Sequence, residues 1–438
     1  MENILNLCLN PALISVVLLC VLCIRKINVL LAIIISTITA GLLSGMNINK
    51  VMNVFISGMG GNSETALSYI LLGAFAATMA HSGFTDVISG KIANIVNGKK
   101  LVLLSVLTLI AMASQNIVPI HIAFIPIIIP PLLKIMNKMK LDRRAVACVL
   151  AFGLKMPYIA IPAGFGLIFQ NLIADNMVQN GVNILRSEIW KSTFVLGLGM
   201  IAGLLIAVFI TYRKPRKYED RQIANVLAND AKFKKKHWIV IFAAVATFLV
   251  QLLTQSLPLG ALVGLGIIFS FGVIPQDKMD HMMNEGVYLM GYIAFVMLVA
   301  AGFASVLKET GAINVLVSAI IPYLPSNVLL TSAIILIIGL FITIGIGTSF
   351  GTIPILAVLF IPVCTHLGFN TQQIIVLLAA AAALGDAGSP ASDTTLGPTA
   401  GLNADGQHNH IFDTCIPTFL HYNIALILFA LLGIWLLA

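Results

Sequence analysis

The sequence predicts an all-α polytopic membrane protein made of two inverted repeats, each carrying a re-entrant hairpin and a broken helix. Three observations lead there: a shortage of charge, apolar runs of membrane-crossing length, and polar breaks at matching places in the two halves. Of 438 residues, 59% are hydrophobic and 10% are charged, with a mean hydropathy of +1.01. Soluble domains carry roughly 25% charged residues, so this chain cannot cover a water-facing surface of its size. A soluble enzyme, a disordered chain and a fibrous chain are excluded.

Apolar stretches of about 20 residues match the ~30 Å hydrocarbon layer. Spans are expected at residues 4–24, 27–46, 64–82, 192–212, 238–256, 258–274, 287–306 and 412–437. The shorter runs 84–97 and 311–326 hold Asp86, Lys91, Pro322 and Pro325 and read as interfacial helices. Residues 101–135 are interrupted by Ser114-Gln115-Asn116 and Pro119, and residues 328–366 by Gly345 and Gly347 to Pro354. Each run is too long for one helix and breaks at its middle, which predicts a hairpin. Residues 145–175 and 372–402 contain Gly153-Leu154-Lys155-Met156-Pro157 and Gly385 to Pro390, and these predict helices broken at mid-depth. The domains expected are a first repeat over 1–222, a basic cytoplasmic linker over 223–237 and a second repeat over 238–438.

Charge distribution supports this path. With the N-terminus outside and each hairpin returning to its own side, 20 of the 25 basic residues fall inside. Lys50, Arg186, Lys191 and Lys308 fall outside, and Lys155 alone is embedded. Counting 101–135 as one crossing instead puts the basic 134–144 loop outside, against the positive-inside rule. The net charge of +8 is therefore a loop property of a multi-pass protein of the cell (inner or plasma) membrane, and a nucleic-acid partner is not expected. Glu2 and the lack of a basic start argue against a cleaved signal peptide. Cys20 and Cys23 form a C-x-x-C without a second pair, so packing rather than zinc accounts for them.

The halves echo each other. Glu64 recurs as Glu285, Ala74-Phe75 as Ala294-Phe295, Gly83-Phe84 as Gly302-Phe303, and Pro157 and Gly164 as Pro390 and Gly397. The first half starts outside and the second inside, which makes the repeat inverted. Folds of this kind place discontinuous helices at the repeat interface near the midplane, where freed backbone binds ions and substrate.

The segment Gly385-Asp386-Ala387-Gly388-Ser389-Pro390-Ala391-Ser392-Asp393-Thr394-Thr395 stands inside an apolar run. Two mid-bilayer aspartates cost about 5–7 kcal/mol on insertion scales, which demands a partner or a function. Carboxylate, hydroxyl and freed carbonyl oxygens suit a small hard cation. A buried carboxylate can also trade a proton for a cation, because burial favours its neutral form and a bound cation its charged form. The cation-binding set expected is Asp386, Asp393, Ser389, Ser392 and Thr394, joined by Thr348, Ser349 and Thr352 at the second hairpin tip, with sodium at Asp386 and Asp393. Asp386 and Asp393 also suit helix capping. Lys155 lies at the expected break of the first broken helix, across the centre from Asp386. It can balance an aspartate, stand in for a second cation or hold a substrate carboxylate. Ser114, Gln115 and Asn116 at the first hairpin tip and His121 beyond it complete the candidates. His408, His410, Asp405 and Asp413 read as a solvated inside loop.

Gly385 to Thr395 resembles the GD-x-x-SP-x-SDTT signature of the NhaC-type Na+/H+ antiporter family, within the ion transporter superfamily. Gly347-Thr348-Ser349-Phe350-Gly351-Thr352 resembles that family's GTS-aromatic-GT hairpin element. Over the whole chain the likeness is nearer to an amino-acid transporter subfamily grouped with these antiporters. The resemblance implies a scaffold plus a transport domain, and cation binding around Thr348, Ser349, Asp386, Ser389 and Asp393. Ala387-Gly388 stands where many antiporters have a His and a small or Cys residue, and Leu396-Gly397-Pro398 replaces an aliphatic-Ser run. The first departure removes a titratable group beside Asp386.

The function expected is secondary active transport, as Na+/H+ antiport by alternating access, with Na+- or H+-coupled transport of a small amino acid or organic anion as the alternative. Na+ and H+ act as coupling ions and no other cofactor is expected. The partners expected are a small ion or solute and membrane lipid, with a homodimer open as the assembly. An enzyme is not expected: Ala383-Leu384-Gly385-Asp386 misses the first Gly of a GxGD protease element, and no H-E-x-x-H occurs.

Overall fold

The structure, a computed structural model, describes residues 9–25, 27–84, 87, 99–116, 121–221, 233–254, 256–312, 315, 325, 327–346, 349–390 and 392–437. Among these no strand occurs. The main helices are α1 (Pro11–Ile24), α2 (Val29–Leu43), α3 (Ile48–Met59), α4 (Ser63–His81), α5 (Lys100–Asn116) and α6 (His121–Lys138). They continue as α7 (Arg143–Ala160), α8 (Phe165–Gln179), α9 (Ile189–Leu205), α10 (Lys235–Thr254), α11 (Leu257–Ser270) and α12 (Met279–Glu309). The last are α13 (Val328–Ile346), α14 (Ser349–His366), α15 (Thr371–Ala383), α16 (Asp393–Leu402) and α17 (Ile416–Leu436). A π-helical turn extends α9 through Ile206–Thr211, and another, His410–Cys415, leads into α17.

Five described stretches are long and apolar enough to cross a membrane: Arg186–Thr211, Lys235–Thr254, Met290–Glu309, Ser349–His366 and His410–Leu436. Four of them answer to expected spans. The fifth, Ser349–His366, is the returning half of the second expected hairpin and is a crossing-length helix by itself. The helix α3 was not expected. Its Asn, Gly and Ser content hides an amphipathic segment whose Asn47 side chain accepts from the Lys50 N–H, capping the start. The expected interfacial runs 84–97 and 311–326 and the linker fall largely outside the described residues.

Both expected broken helices appear. α7 and α8 meet at a 44° bend. The break, however, lies at Ile161–Gly164 rather than at Gly153–Pro157, so Lys155 sits within a continuous helix. Pro157 is accommodated inside α7 and its carbonyl still accepts from Ile161 N–H at 2.7 Å. The bend falls to Gly164, whose φ is +58° and where a Cβ would stand 2.0 Å from the Asn116 carbonyl oxygen, which excludes a side chain. In the second half, α15 ends at Ala383 and α16 starts at Asp393, separated by the unwound segment anticipated from the glycines and Pro390.

Neighbour relations recur when the halves are exchanged. α1 packs on α2 as α10 does on α11, α5 on α7 as α13 on α15, and α7 on α9 as α15 on α17. Across the halves, α6 packs on α16 as α14 does on α8, and α2 on α12 as α11 on α4. At the centre α4 and α12 run antiparallel. Asn62 donates to the Met297 carbonyl at 3.1 Å, and farther along, a Cβ on Gly73 would lie 2.7 Å from the Gly286 carbonyl. Small residues at such a crossing let backbones touch, the packing that serves where lipid removes the hydrophobic drive.

Candidate ion-binding site

The unwound stretch after α15 and the continuous helix α7 deliver the site. Where α15 unwinds, Asp386 is 3% exposed, and Lys155 from α7 is 1% exposed. The two form an ion pair. Lys155 Nζ also donates to Ser349 Oγ at 2.9 Å and Tyr158 OH at 3.2 Å, and lies 4.4 Å from the Tyr158 ring centre. Asp386 Oδ2 accepts from Ser349 N–H at 3.2 Å and from Ser349 Oγ at 2.5 Å. Its other oxygen accepts from Ser392 Oγ. One carboxylate is thus held by an ammonium, two hydroxyls and the first N–H of α14, where the helix dipole favours negative charge.

The unwound segment is itself tied down. Ser392 caps α16, accepting from Thr394 N–H at 3.2 Å, while Thr394 Oγ1 donates to the Asp386 carbonyl at 3.0 Å. Thr395 Oγ1 donates to the Ser389 carbonyl at 2.5 Å. From α17, Asn423 accepts from Gly385 N–H and donates to the Ala387 carbonyl, both at 2.9 Å. Gly388 has φ +117°, and a Cβ there would stand 2.6 Å from Phe419 Cβ. This contact accounts for glycine at position 388.

Asp386, Ser349, Ser392, Thr394 and Lys155 are therefore brought together as expected, and Ser389 and Thr352 are buried on the same segments. Thr348 and the side chains of Asp393 and His121 lie outside the described residues. Ser114, Gln115 and Asn116 are buried at the end of α5 beside the other break. The Gln115 Oε1 and Asn116 Oδ1 atoms there are buried without a hydrogen-bond donor.

Sequence reasoning missed Tyr158, Asn423, the ring contacts of Phe350 and a cleft. Tyr158 stands three residues after Lys155 and Asn423 directly follows His421-Tyr422, and this nearness to other polar groups was the available signal. Phe350, next to Ser349, meets the rings of Tyr158, Tyr69, Phe165 and Phe169 at 5.3, 5.5, 5.9 and 6.3 Å, an aromatic wall against the ion pair. On the flank of α14, a cleft of about 310 Å³ is lined by Gly58, Asn176, Gln179, Lys308, Pro354 and Val358.

The expected solvated loop is a correction. Asp405, His408 and Asp413 are buried. Arg143, fully buried, donates to both Asp405 oxygens at 2.7 and 2.6 Å, to the Leu402 carbonyl at 3.0 Å and to Asn137 Oδ1 at 2.9 Å. Arg216 pairs with Asp413 at 2.7 Å. Burial works to raise the Asp405 carboxyl, but the hydrogen bonds and charge of Arg143, with the hydrogen bonds from Gln407, outweigh it and hold it below the usual carboxylate range. Burial pushes His408 down to about 4. His408 Nε2 meets Thr414 Oγ1 at 2.7 Å, Thr414 meets Thr399, and His410 links Thr399 to the Pro390 carbonyl. Polar residues solvate only when nothing packs on them, and two arginines distant in sequence do so here.

A buried ion pair at an unwound helix segment inside an all-helical bundle of membrane-crossing helices is the kind of site that a membrane transporter of ions or small solutes carries. The comparisons with known proteins agree. The Na+/H+ antiporter family matches residues 149–434, and a further Na+-H+ antiporter family matches residues 10–96. The chain belongs to the Na+/H+ antiporter family. An uncharacterized membrane protein of Vibrio parahaemolyticus is 45% identical, covering 96% of this chain and 98% of its own. The Bacillus subtilis protein named "Putative amino acid transporter YuiF" is 43% identical over the same shares, 96% and 98%. Among solved structures, the Alcanivorax borkumensis YdaH transporter superposes with a TM-score of 0.62 at 14% identity, covering 98% of each chain. Neisseria gonorrhoeae MtrF gives 0.56 at 14% identity, covering 88% of this chain and 84% of its own. At that identity the likeness is one of fold.

Proposed function

We propose that the protein exchanges Na+ for H+ at Asp386 by alternating access. The observation that supports this reading is the buried Lys155–Asp386 pair at the meeting of two broken helices and a hairpin tip. As it stands the pair is neutral. A sodium ion entering the carboxylate, Ser349 and Ser392 oxygens would leave an uncompensated positive charge in the interior, a penalty of several kcal/mol. Release of a proton from the Lys155 ammonium restores neutrality, so one cation taken up sets one proton free. Sodium release and reprotonation of Lys155 close the cycle. Asp393, if its side chain joins the oxygens, adds a second carboxylate to the same cation, and the 1–222 and 238–438 repeats supply the two faces of access.

A second reading rests on Lys155 together with the name of the relative from Bacillus subtilis. An ammonium freed from Asp386 by a sodium ion can take a substrate carboxylate, which gives cation-coupled amino-acid transport at the same site.

Liposome reconstitution tests both. A sodium gradient should drive a luminal pH change, and Asp386→Asn should abolish it. No pH change from correctly inserted protein overturns exchange. Sodium-dependent uptake from a labelled amino-acid panel, lost in Lys155→Ala, then selects the second reading.

A further inference from the structure

We propose a second, separate metal site: His81, His281 and Glu285 form a three-ligand site for a divalent cation of the zinc class, spanning α4 and α12. One ligand atom from each of the three lies within 4.8 Å of the others. His281 and Glu285 are four residues apart on α12 and therefore share one helical face. His81 closes α4 and is brought to them by the antiparallel crossing at Gly73 and Gly286. The His81 and His281 rings stand 5.7 Å apart at 73°, and His81 Nδ1 is 3.2 Å from Glu285 Oε2. That carboxylate oxygen is buried and receives no hydrogen bond.

Position places the cluster at water rather than in oil. At about 1.5 Å per residue, the 31 residues of α12 run to about 46 Å, well beyond the ~30 Å hydrocarbon layer. The apolar crossing part begins at Met290, so His281 and Glu285 lie on the overhanging turns. Both histidines are exposed and Glu285 is half-buried, so metal can reach them and water can fill a remaining position.

The donor set selects the metal. Two imidazoles and one carboxylate match zinc bound at about 2.0–2.2 Å with a fourth position left to water. Calcium and magnesium favour all-oxygen shells, and soft copper(I) favours sulfur. Tetrahedral zinc brings ligand atoms to about 3.3 Å from one another, from those bond lengths, so the three need only close by a side-chain movement. The ion would clamp the central helices at one end, opposite the Asn62–Met297 hydrogen bond.

The test uses the full chain, purified without a polyhistidine tag and stripped with chelator. Zinc should bind at one ion per chain in competition with a chromophoric chelator. Affinity should fall at least tenfold in His281→Ala and in Glu285→Gln, both at the exposed helix end. Cobalt(II) should give the intense visible bands of a four-coordinate site, and His81→Gln should remove them. Equal zinc affinity in wild type and variants, or a pale six-coordinate cobalt spectrum in the wild type, overturns the proposal. Neither readout depends on transport, so failure here leaves the Asp386 reading standing, and the reverse holds.

Discussion

Lys155 and Asp386 lie on different broken helices, one from each half of the chain, and neutralise each other in the interior. Removing one partner of a buried pair costs about 3–5 kcal/mol, because the other charge stays behind unpaired. Lys155→Ala should therefore lower the thermal midpoint in choline chloride and recover part of the loss in sodium chloride, since sodium replaces the missing positive charge. Asp386→Asn should show no sodium-dependent shift. Thermal unfolding in the two salts checks both.

Ser392 both caps α16 and holds Asp386. Ser392→Ala should cost about 1 kcal/mol of stability through the lost cap and weaken sodium dependence of transport about tenfold or more. Ser392→Thr keeps the hydroxyl and should retain most of both. The half-saturating sodium concentration of the pH change reads the difference.

The Arg143–Asp405 pair is bidentate and enclosed. Arg143→Lys cannot reproduce two parallel hydrogen bonds and should destabilise nearly as much as Arg143→Gln, about 3–5 kcal/mol. The double change Arg143→Met with Asp405→Leu should be milder than either single one. A double-mutant cycle by thermal or denaturant unfolding supplies the comparison.

His408 gives the stability a defined pH window. Its folded value of about 4 lies below the ordinary 6.5, so protons bind the unfolded chain more readily. Its stabilising contribution is complete above pH 6.5 and is lost as pH falls toward 4, by about 3 kcal/mol in all. Asp405, depressed below 3.8, keeps its contribution through that window and loses it only at lower pH. His408→Gln should flatten the decline between pH 6.5 and 4 in unfolding midpoints while leaving the steeper acid limb.

The site was legible in the sequence where charge stood in oil. Asp386 and Lys155 are anomalies that apolar surroundings expose, and Ser349, Ser392 and Thr394 came with the glycine-rich breaks around them. The position of the first break was not legible, because Pro157 sits inside α7 without ending it and the bend falls at Gly164 instead. Asn423 escaped notice because one amide in an apolar helix carries no spacing. The loop holding His408 and Asp413 looked the same whether solvated or packed, since its partners Arg143 and Arg216 lie some 200 to 260 residues away. The membrane class and most of the crossing helices followed from hydropathy, whereas α3 and the full length of Ser349–His366 did not.

The last helix has a role beyond crossing the bilayer. Tyr422 donates to the Cys148 carbonyl of α7 at 2.5 Å, and the adjacent Asn423 grips both sides of Asp386 through Gly385 and Ala387. Two neighbouring side chains thus strap α17 to both interrupted helices at once. On the proposed exchange at Asp386, any movement of that carboxylate would be shared by α7 and α17, because these bonds tie the three together.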